Sequence, residues 1–295
     1  MRGGNERYEN NGLAYKIRRR FHERGARLKK TAAAEGVGVK INGAEVMLYR
    51  RVSSTNTVMK ELAASGLKDG SIIWSQYQSQ GRGRMRRKWD GKPGRALLFS
   101  MLVKAAGLEA RYAPLYTLFT AAVLAEAVKN VTGLRVGIKW PNDIVVGGRK
   151  LCGILSESNL YSGGKVNYLV IGIGLNVNQK ARDFPSEIRP ASTSLNIETR
   201  RHISRVKILK AFLRAWRRRT ECLKKNGLSY IVEIWKKYDI TLGREVEVIN
   251  GERWLKGRAV DIGALGELII ETLDGNRVKC LAEDISLGKY YYGKG

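Results

Sequence analysis

The chain is poor in the residues on which several kinds of chemistry depend. Its 295 residues hold three cysteines and two histidines. Cys152, Cys222 and Cys280 lie far apart with no Cys-x-x-Cys pair, which excludes a disulfide framework and a zinc site of ordinary ligand spacing. His22 and His202 both fall in basic stretches away from any nucleophile motif, so no Ser/His/Asp triad can be assembled. The Walker A pattern is absent. No apolar run is long enough to span a membrane, and no basic-then-apolar leader opens the chain, so a cytoplasmic setting is expected. Glu6, Glu9 and Glu23 argue against an organelle transit peptide. Acid is also scarce. Against 54 Lys and Arg stand 27 Asp and Glu, a net charge of +27 that makes polyanion contact an expectation and says nothing of fold.

What is present is globular: 43% apolar and 27% charged, enough for one large domain and a smaller one. Residues 1–45 read as a basic N-terminal arm, with 12 Lys/Arg against 5 Asp/Glu in the first 50 positions and a helical stretch over 13–34. The arm is a candidate DNA or RNA contact by charge alone. Residues 46–238 alternate strand-like and helical runs. Val46 to Val52 predicts a strand, and Ser53-Ser54-Thr55-Asn56 offers N-caps for a helix to about Ala64. Strands are expected at 71–77 and 95–103, then a helix over 112–131 ended by Gly133. Short strands at 135–139, 144–146, 150–156 and 166–173, joined by Gly-Gly turns, predict an antiparallel meander. Residues 178–200 read as loop, and two helices follow at 202–223 and 230–238. Residues 239–295 carry short β runs with Asn-Gly and Asp-Gly turns, the pattern of a small barrel.

Three stretches carry chemistry. Gln80-Gly81-Arg82-Gly83-Arg84-Met85-Arg86-Arg87-Lys88-Trp89 sets five cations and a ring among two glycines, whose expected positive φ would turn backbone N–H groups toward an anion. Lys139-Trp140-Pro141-Asn142-Asp143 places a cation, an amide and a carboxylate within five residues, suited to a phosphate with its magnesium. Gly172-Ile-Gly174-Leu-Asn176 ends a strand on two glycines, where a ligand or another backbone must come close. Asn176 there could bond phosphate, ribose or a metal-bound water. The plain alternatives are a solvated basic turn, a capped proline turn and a strand-end bend.

Taken in order with Ser54-Thr55-Asn56 and Lys150-Leu-Cys-Gly153, these motifs resemble the biotin protein ligases over roughly residues 46–290. The resemblance implies an α+β core, a mixed and largely antiparallel sheet flanked by helices as in class II aminoacyl-tRNA synthetases, with a C-terminal SH3-like barrel. It implies activation of biotin by MgATP to biotinyl-5′-AMP, then transfer to a lysine of a biotin carboxyl carrier domain. By family position Ser54, Thr55, Asn56, Gln78, Gly81, Arg82, Lys150, Gly153, Gly172 and Gly174 would hold biotin. Arg84, Arg87, Trp89, Lys139, Asn142, Asp143 and Asn176 would hold ATP. Lys139, Arg84, Lys150 and Asp143 would be catalytic, with Asp143 also the magnesium ligand. A homodimer through a sheet edge is expected by the same analogy.

The chain departs from the family pattern at Ser53, where an acid is usual, and at Arg86, where a third glycine is usual, which predicts a differently ordered loop. Lipoate–protein ligase, which shares the adenylation logic, and a basic nucleic-acid-binding protein or transcriptional repressor are the rival readings.

Overall fold

The computed structural model describes residues 36–105, 107–250, 253–281 and 284–287. The helical stretch expected over 13–34 lies outside them. An eight-stranded sheet forms the core domain, with strands β1 (Val37–Ile41), β2 (Ala44–Tyr49), β3 (Ile72–Ser75), β4 (Ala96–Val103), β5 (Gly137–Lys139), β6 (Asp143–Val146), β7 (Arg149–Leu160) and β8 (Val166–Asn176). Their spatial order is β1-β2-β3-β4-β8-β7-β6-β5, and β2–β3 is the one parallel pair among the described strands. The expected meander is thus present as β5 to β8. Strand β1 falls inside the stretch assigned to the N-terminal arm. Its run Val37-Gly-Val-Lys-Ile41 is short, alternates Val, Val and Ile with Gly and Lys, and pairs with β2 across the Asn42-Gly43 turn.

Strand alternation divides the sheet into two faces. Ile73, Leu102 and Val170 point to one face and pack with Val58, Met59 and Leu62 of helix α1 (Thr55–Ala63). Ile72, Phe99, Met101 and Ile171 point to the other. There helix α2 (Ala113–Thr132) lies on the sheet, apolar nearly all round because α4 (Arg205–Asn226) and α5 (Ser229–Lys236) cover its outer side. Gly133 ends α2 in the left-handed conformation that glycine adopts without penalty. Phe99 and Phe119 meet Phe212 and Trp216 of α4 edge-on at 5.4 and 4.9 Å. Glu126 of α2, 6% exposed, accepts from Arg218 and Arg219 of α4, so its charge is paired and not stranded in the core. The loop expected over 178–200 holds a 3-10 turn at Ala181–Asp183 and a short helix, α3 (Leu195–Thr199), capped by Ser194 Oγ on the Ile197 amide.

The small C-terminal domain is a five-stranded sheet of β9 (Glu245–Asn250), β10 (Arg253–Ile262), β11 (Leu268–Thr272), β12 (Arg277–Cys280) and β13 (Asp284–Leu287). Its order is β12-β11-β10-β9-β13, with every pair antiparallel. Trp140 couples the two domains. Its buried indole Nε1 donates to Gly266 O at 2.9 Å, and its backbone amide donates to Thr241 Oγ1 at 2.9 Å. The turn Trp140-Pro141-Asn142 between β5 and β6 is thereby held from behind by the small domain.

Candidate active site

The α1 face of the sheet carries the site, and strand register explains its layout. Cross-strand partners share a face. One row runs Lys139 (β5), Asp143 (β6), Gly153 (β7) and Gly174 (β8). A second runs Leu155, Gly172 and Ser100, and a third Glu157, Val170 and Leu102. Two glycines side by side leave a floor with no side chains. The indole of Trp89 lies on it, since a Cβ at Gly174 would come 2.4 Å from Trp89 Cε2 and one at Gly153 2.9 Å from Cζ3. Trp89 Nε1 is buried with no hydrogen-bond partner among the described residues. At Gly172 the close neighbour is Asn56, whose Oδ1 would lie 2.3 Å from a Cβ. The glycines of β8 therefore admit side chains here, whereas the sequence suggested a ligand or a backbone.

A cavity of about 350 Å³ opens above this floor. Of the residues singled out in the sequence, Ser54, Thr55, Asn56, Gln78, Arg82, Arg84, Arg87, Trp89, Lys139, Asn142, Asp143, Lys150, Gly153, Gly172, Gly174 and Asn176 all line it; Gly81 does not. Its two ends differ in chemistry. At the α1 end, neutral polar groups form one network. Gln78 Oε1 accepts from the Thr55 amide at 2.7 Å and from Thr55 Oγ1 at 2.9 Å. Ser100 Oγ lies 2.7 Å from Thr55 Oγ1 and 2.6 Å from Asn56 Oδ1, and its single proton serves one of them at a time. Ser54 occupies the N-cap position of α1, as the sequence predicts, but its side chain makes no cap bond. The residue is nearly buried and lines the cavity wall instead.

The other end is cationic. Lys150 Nζ sits 2.8 Å from Asp143 Oδ2 and 5.8 Å from the centre of the Trp89 ring. Among the described residues Asp143 Oδ1 is buried without a hydrogen-bond partner, an acceptor still able to take a donor or a cation. Arg84 Nη1 donates to Asn142 Oδ1 at 2.9 Å, and Asn142 Nδ2 donates to Ile154 O at 3.0 Å. Asn176 Oδ1 accepts from Gln179 Nε2 at 2.8 Å. Cys152 lies beside this group but is no nucleophile. Burial and the Asp143 charge push its thiol far up, against the opposing effect of Lys150.

The glycine–arginine loop corrects the sequence reading in one respect. Neither Gly81 nor Gly83 takes a positive φ; Gly83 is at −106°. The left-handed residue is Met85, at φ 49°, so the usual third-glycine position, Arg86, is not where the loop turns against L-residue preference. Gly81 is needed for a different reason. A Cβ there would lie 2.3 Å from the Trp89 carbonyl oxygen, where Trp89 N donates back to Gly81 O at 2.9 Å.

Ser100 and Glu157 went unnoticed in the sequence. Glu157 accepts from Asn56 Nδ2 at 2.6 Å and Lys60 Nζ at 2.5 Å, and lies 3.4 Å from Arg82 Nη2. It thus ties helix α1 to the stem of the glycine–arginine loop. Period-two counting from Gly153 puts Leu155 and Glu157 on its face, and that signal could have found it.

Comparison with known proteins follows the same division. Residues 48–176 match the Biotin/lipoate A/B protein ligase family, and residues 241–288 match the Biotin protein ligase C terminal domain. The bifunctional ligase/repressor BirA of Bacillus subtilis is 29% identical over 269 residues, 91% of this chain and 82% of that protein. The biotin–[acetyl-CoA-carboxylase] ligase of Mycobacterium tuberculosis is 27% identical over 261 residues, 84% of this chain and 91% of that one. The biotin protein ligase of Aquifex aeolicus, solved in complex with biotin and ATP, superimposes with a TM-score of 0.69 at 26% identity, covering 82% of this chain and 98% of that chain. With the catalytic sheet and the small β domain matched in order, and relatives aligned over most of their length, this chain belongs to the biotin protein ligase family.

Proposed function

We propose that the protein activates biotin with MgATP and transfers it to a lysine of a biotin carboxyl carrier domain. The observation that carries this reading is the row Lys139–Asp143–Gly153–Gly174, which joins a neutral polar pocket to a cationic one across a floor without side chains. A ureido ring needs paired donors and acceptors, and the α1 end offers them in Ser54, Thr55, Asn56 and Gln78. A carboxylate and a triphosphate repel each other, and Arg84, Arg87, Lys139 and Lys150 line the end where the two would meet.

In the first step a biotin carboxylate oxygen attacks the α-phosphorus of ATP, forming the acyl-phosphate bond as pyrophosphate leaves. Lys139 stabilises charge on the α-phosphate, and Lys150 orients the carboxylate while Asp143 holds its ammonium in place. In the second, the neutral amine of the carrier lysine attacks the acyl carbon, loses a proton, and AMP departs. Bound magnesium would neutralise phosphate charge. The described residues contain no cluster of three or more His, Cys, Asp or Glu, so Asp143 with its partnerless Oδ1 would hold that ion together with substrate phosphates. A homodimer would form through β1, because the outer edge of β5 is bonded by Ile138 to Tyr238 and Ile240.

The reading is tested by mass spectrometry of a carrier domain incubated with the protein, ATP and either biotin or lipoate. One biotin on one lysine is expected. No modification by folded protein, or modification with lipoate alone, would overturn it.

Glu157 gives a second expected result. Burial opposes its ionisation, but hydrogen bonds from Lys60 and Asn56 and the charge of Arg82 outweigh burial and hold its carboxyl below the usual carboxylate range. A depressed pKa means the tie is fully formed above the ordinary carboxylate pKa and is lost as pH falls through the lower folded value. Glu157→Ala removes an anion from three donors, at about 1.5–3 kcal/mol, and should raise KM for biotin roughly 10- to 100-fold. The kcat should stay within about 2-fold, since no atom of Glu157 reaches the cationic end. Steady-state kinetics of the Ala and Gln variants would show it, and a fall in kcat with unchanged KM would contradict the assignment.

A further inference from the structure

Helix α4 presents a second charged surface, on the face of the sheet opposite the site. Its buried residues Ile208, Leu209, Phe212, Leu213 and Leu223 seat it in the core with α2. Outward it exposes Lys207, Lys210, Arg214, Arg217 and Lys225 on one stripe of an α-helix, which the exposed Glu221 interrupts between Arg217 and Lys225. At 1.5 Å per residue the stripe runs about 27 Å. Residues 200–225 hold 11 Lys and Arg and one acid, Glu221, which Lys224 engages at 2.9 Å. Arg214, Arg217 and Lys225 also line a shallow cleft beside the Asn42-Gly43 turn, where Arg217 Nη2 donates to Asn42 O at 2.7 Å.

We infer that this stripe binds the phosphate backbone of a nucleic acid without regard to sequence. Three classes of anionic partner could meet such a surface, and its composition separates them. A protein interface needs an apolar centre among its charges; on the exposed face of α4 the one large apolar side chain is Val206, 39% exposed. A membrane-surface helix inserts an apolar face, and here that face is already buried in the core. What remains is a row of cations at helical spacing, the electrostatic footprint of phosphate contact. Lys207, Lys210, Arg214 and Lys225 make no hydrogen bond or ion pair through their side chains among the described residues, so they are available for it. Arg218 and Arg219, in contrast, are bound to Glu126. The surface lies across the sheet from the cavity, so nucleic acid and ligase substrates would bind together.

The test uses the full chain and a Gln substitution at all four positions, K207Q/K210Q/R214Q/K225Q. Fluorescence anisotropy with a random-sequence DNA duplex, over a series of salt concentrations, reads log K against log salt. Each phosphate contact contributes about 0.9 to that slope, so the variant should be shallower by about 3 to 4, with unaltered ligase activity as the check that it folds. Wild type that fails to bind would overturn the inference. So would a variant with the wild-type slope, which would place binding elsewhere in the chain. Tighter binding to phosphatidylserine-containing vesicles or to polyglutamate than to DNA, lost in the same variant, would reassign the surface to a membrane or an acidic protein.

Discussion

Lys139→Ala should slow formation of biotinyl-adenylate by about 100- to 1,000-fold while leaving biotin affinity close to that of the wild type. Lys139 closes β5 and pairs directly across the hairpin with Asp143, so its backbone position is fixed by the sheet and by the Trp140 anchor behind it. A cation held there needs no rearrangement when charge builds on the α-phosphate, and removing one such preorganised group costs that much in rate. The neutral pocket of Ser54, Thr55 and Gln78 lies at the other end of the cavity and keeps its hydrogen bonds. Rapid-quench measurement of adenylate, beside calorimetry with biotin, separates the two effects. Loss of biotin binding with an unaltered chemical step would assign Lys139 to the wrong end.

Arg84→Gly should leave adenylation running but release the intermediate. Arg84 bonds Asn142, and Asn142 bonds the backbone of Ile154, so this one guanidinium fastens the glycine–arginine loop to the turn after β5 and to β7. A hydrogen bond from a charged donor contributes about 1.5–3 kcal/mol, which shifts the closed loop toward open by roughly 10- to 100-fold. An open loop lets water reach a mixed anhydride and lets the anhydride leave. Bystander proteins should then acquire biotin on surface lysines, and gel filtration should show the adenylate parting from the variant. Arg84→Ala separates loss of the guanidinium from the added freedom of glycine. Equal retention by wild type and both variants would show that the loop is held by other contacts.

How much of this could be seen beforehand depended on whether a signal was local. Ser54-Thr55-Asn56, the glycine–arginine run and Lys139 to Asp143 were legible because each is a short stretch with unusual chemistry. The meander and the small β domain were legible because Gly-Gly, Asn-Gly and Asp-Gly turns punctuate period-two runs. Strand β1 was overlooked although Val37, Val39 and Ile41 alternate ahead of the Asn42-Gly43 turn. The basic composition of the stretch before it drew residues 1–45 together as one arm. Ser100 and Glu157 were missed because each is ordinary in its own stretch and becomes part of the site only through register. The purpose of Gly153 and Gly174 was half visible. Their spacing announced a close approach, but that Trp89 makes it depends on a loop folding back across two strands.

Biotin-dependent exchange of labelled pyrophosphate into ATP tests biotin activation by itself, since it needs neither a carrier protein nor the second step. Exchange is expected with biotin and not with lipoate, and should fall by about 100-fold or more in Lys139→Ala. Folded protein that exchanges no label at saturating biotin and MgATP, or that exchanges it with lipoate in place of biotin, would not be a biotin-activating enzyme.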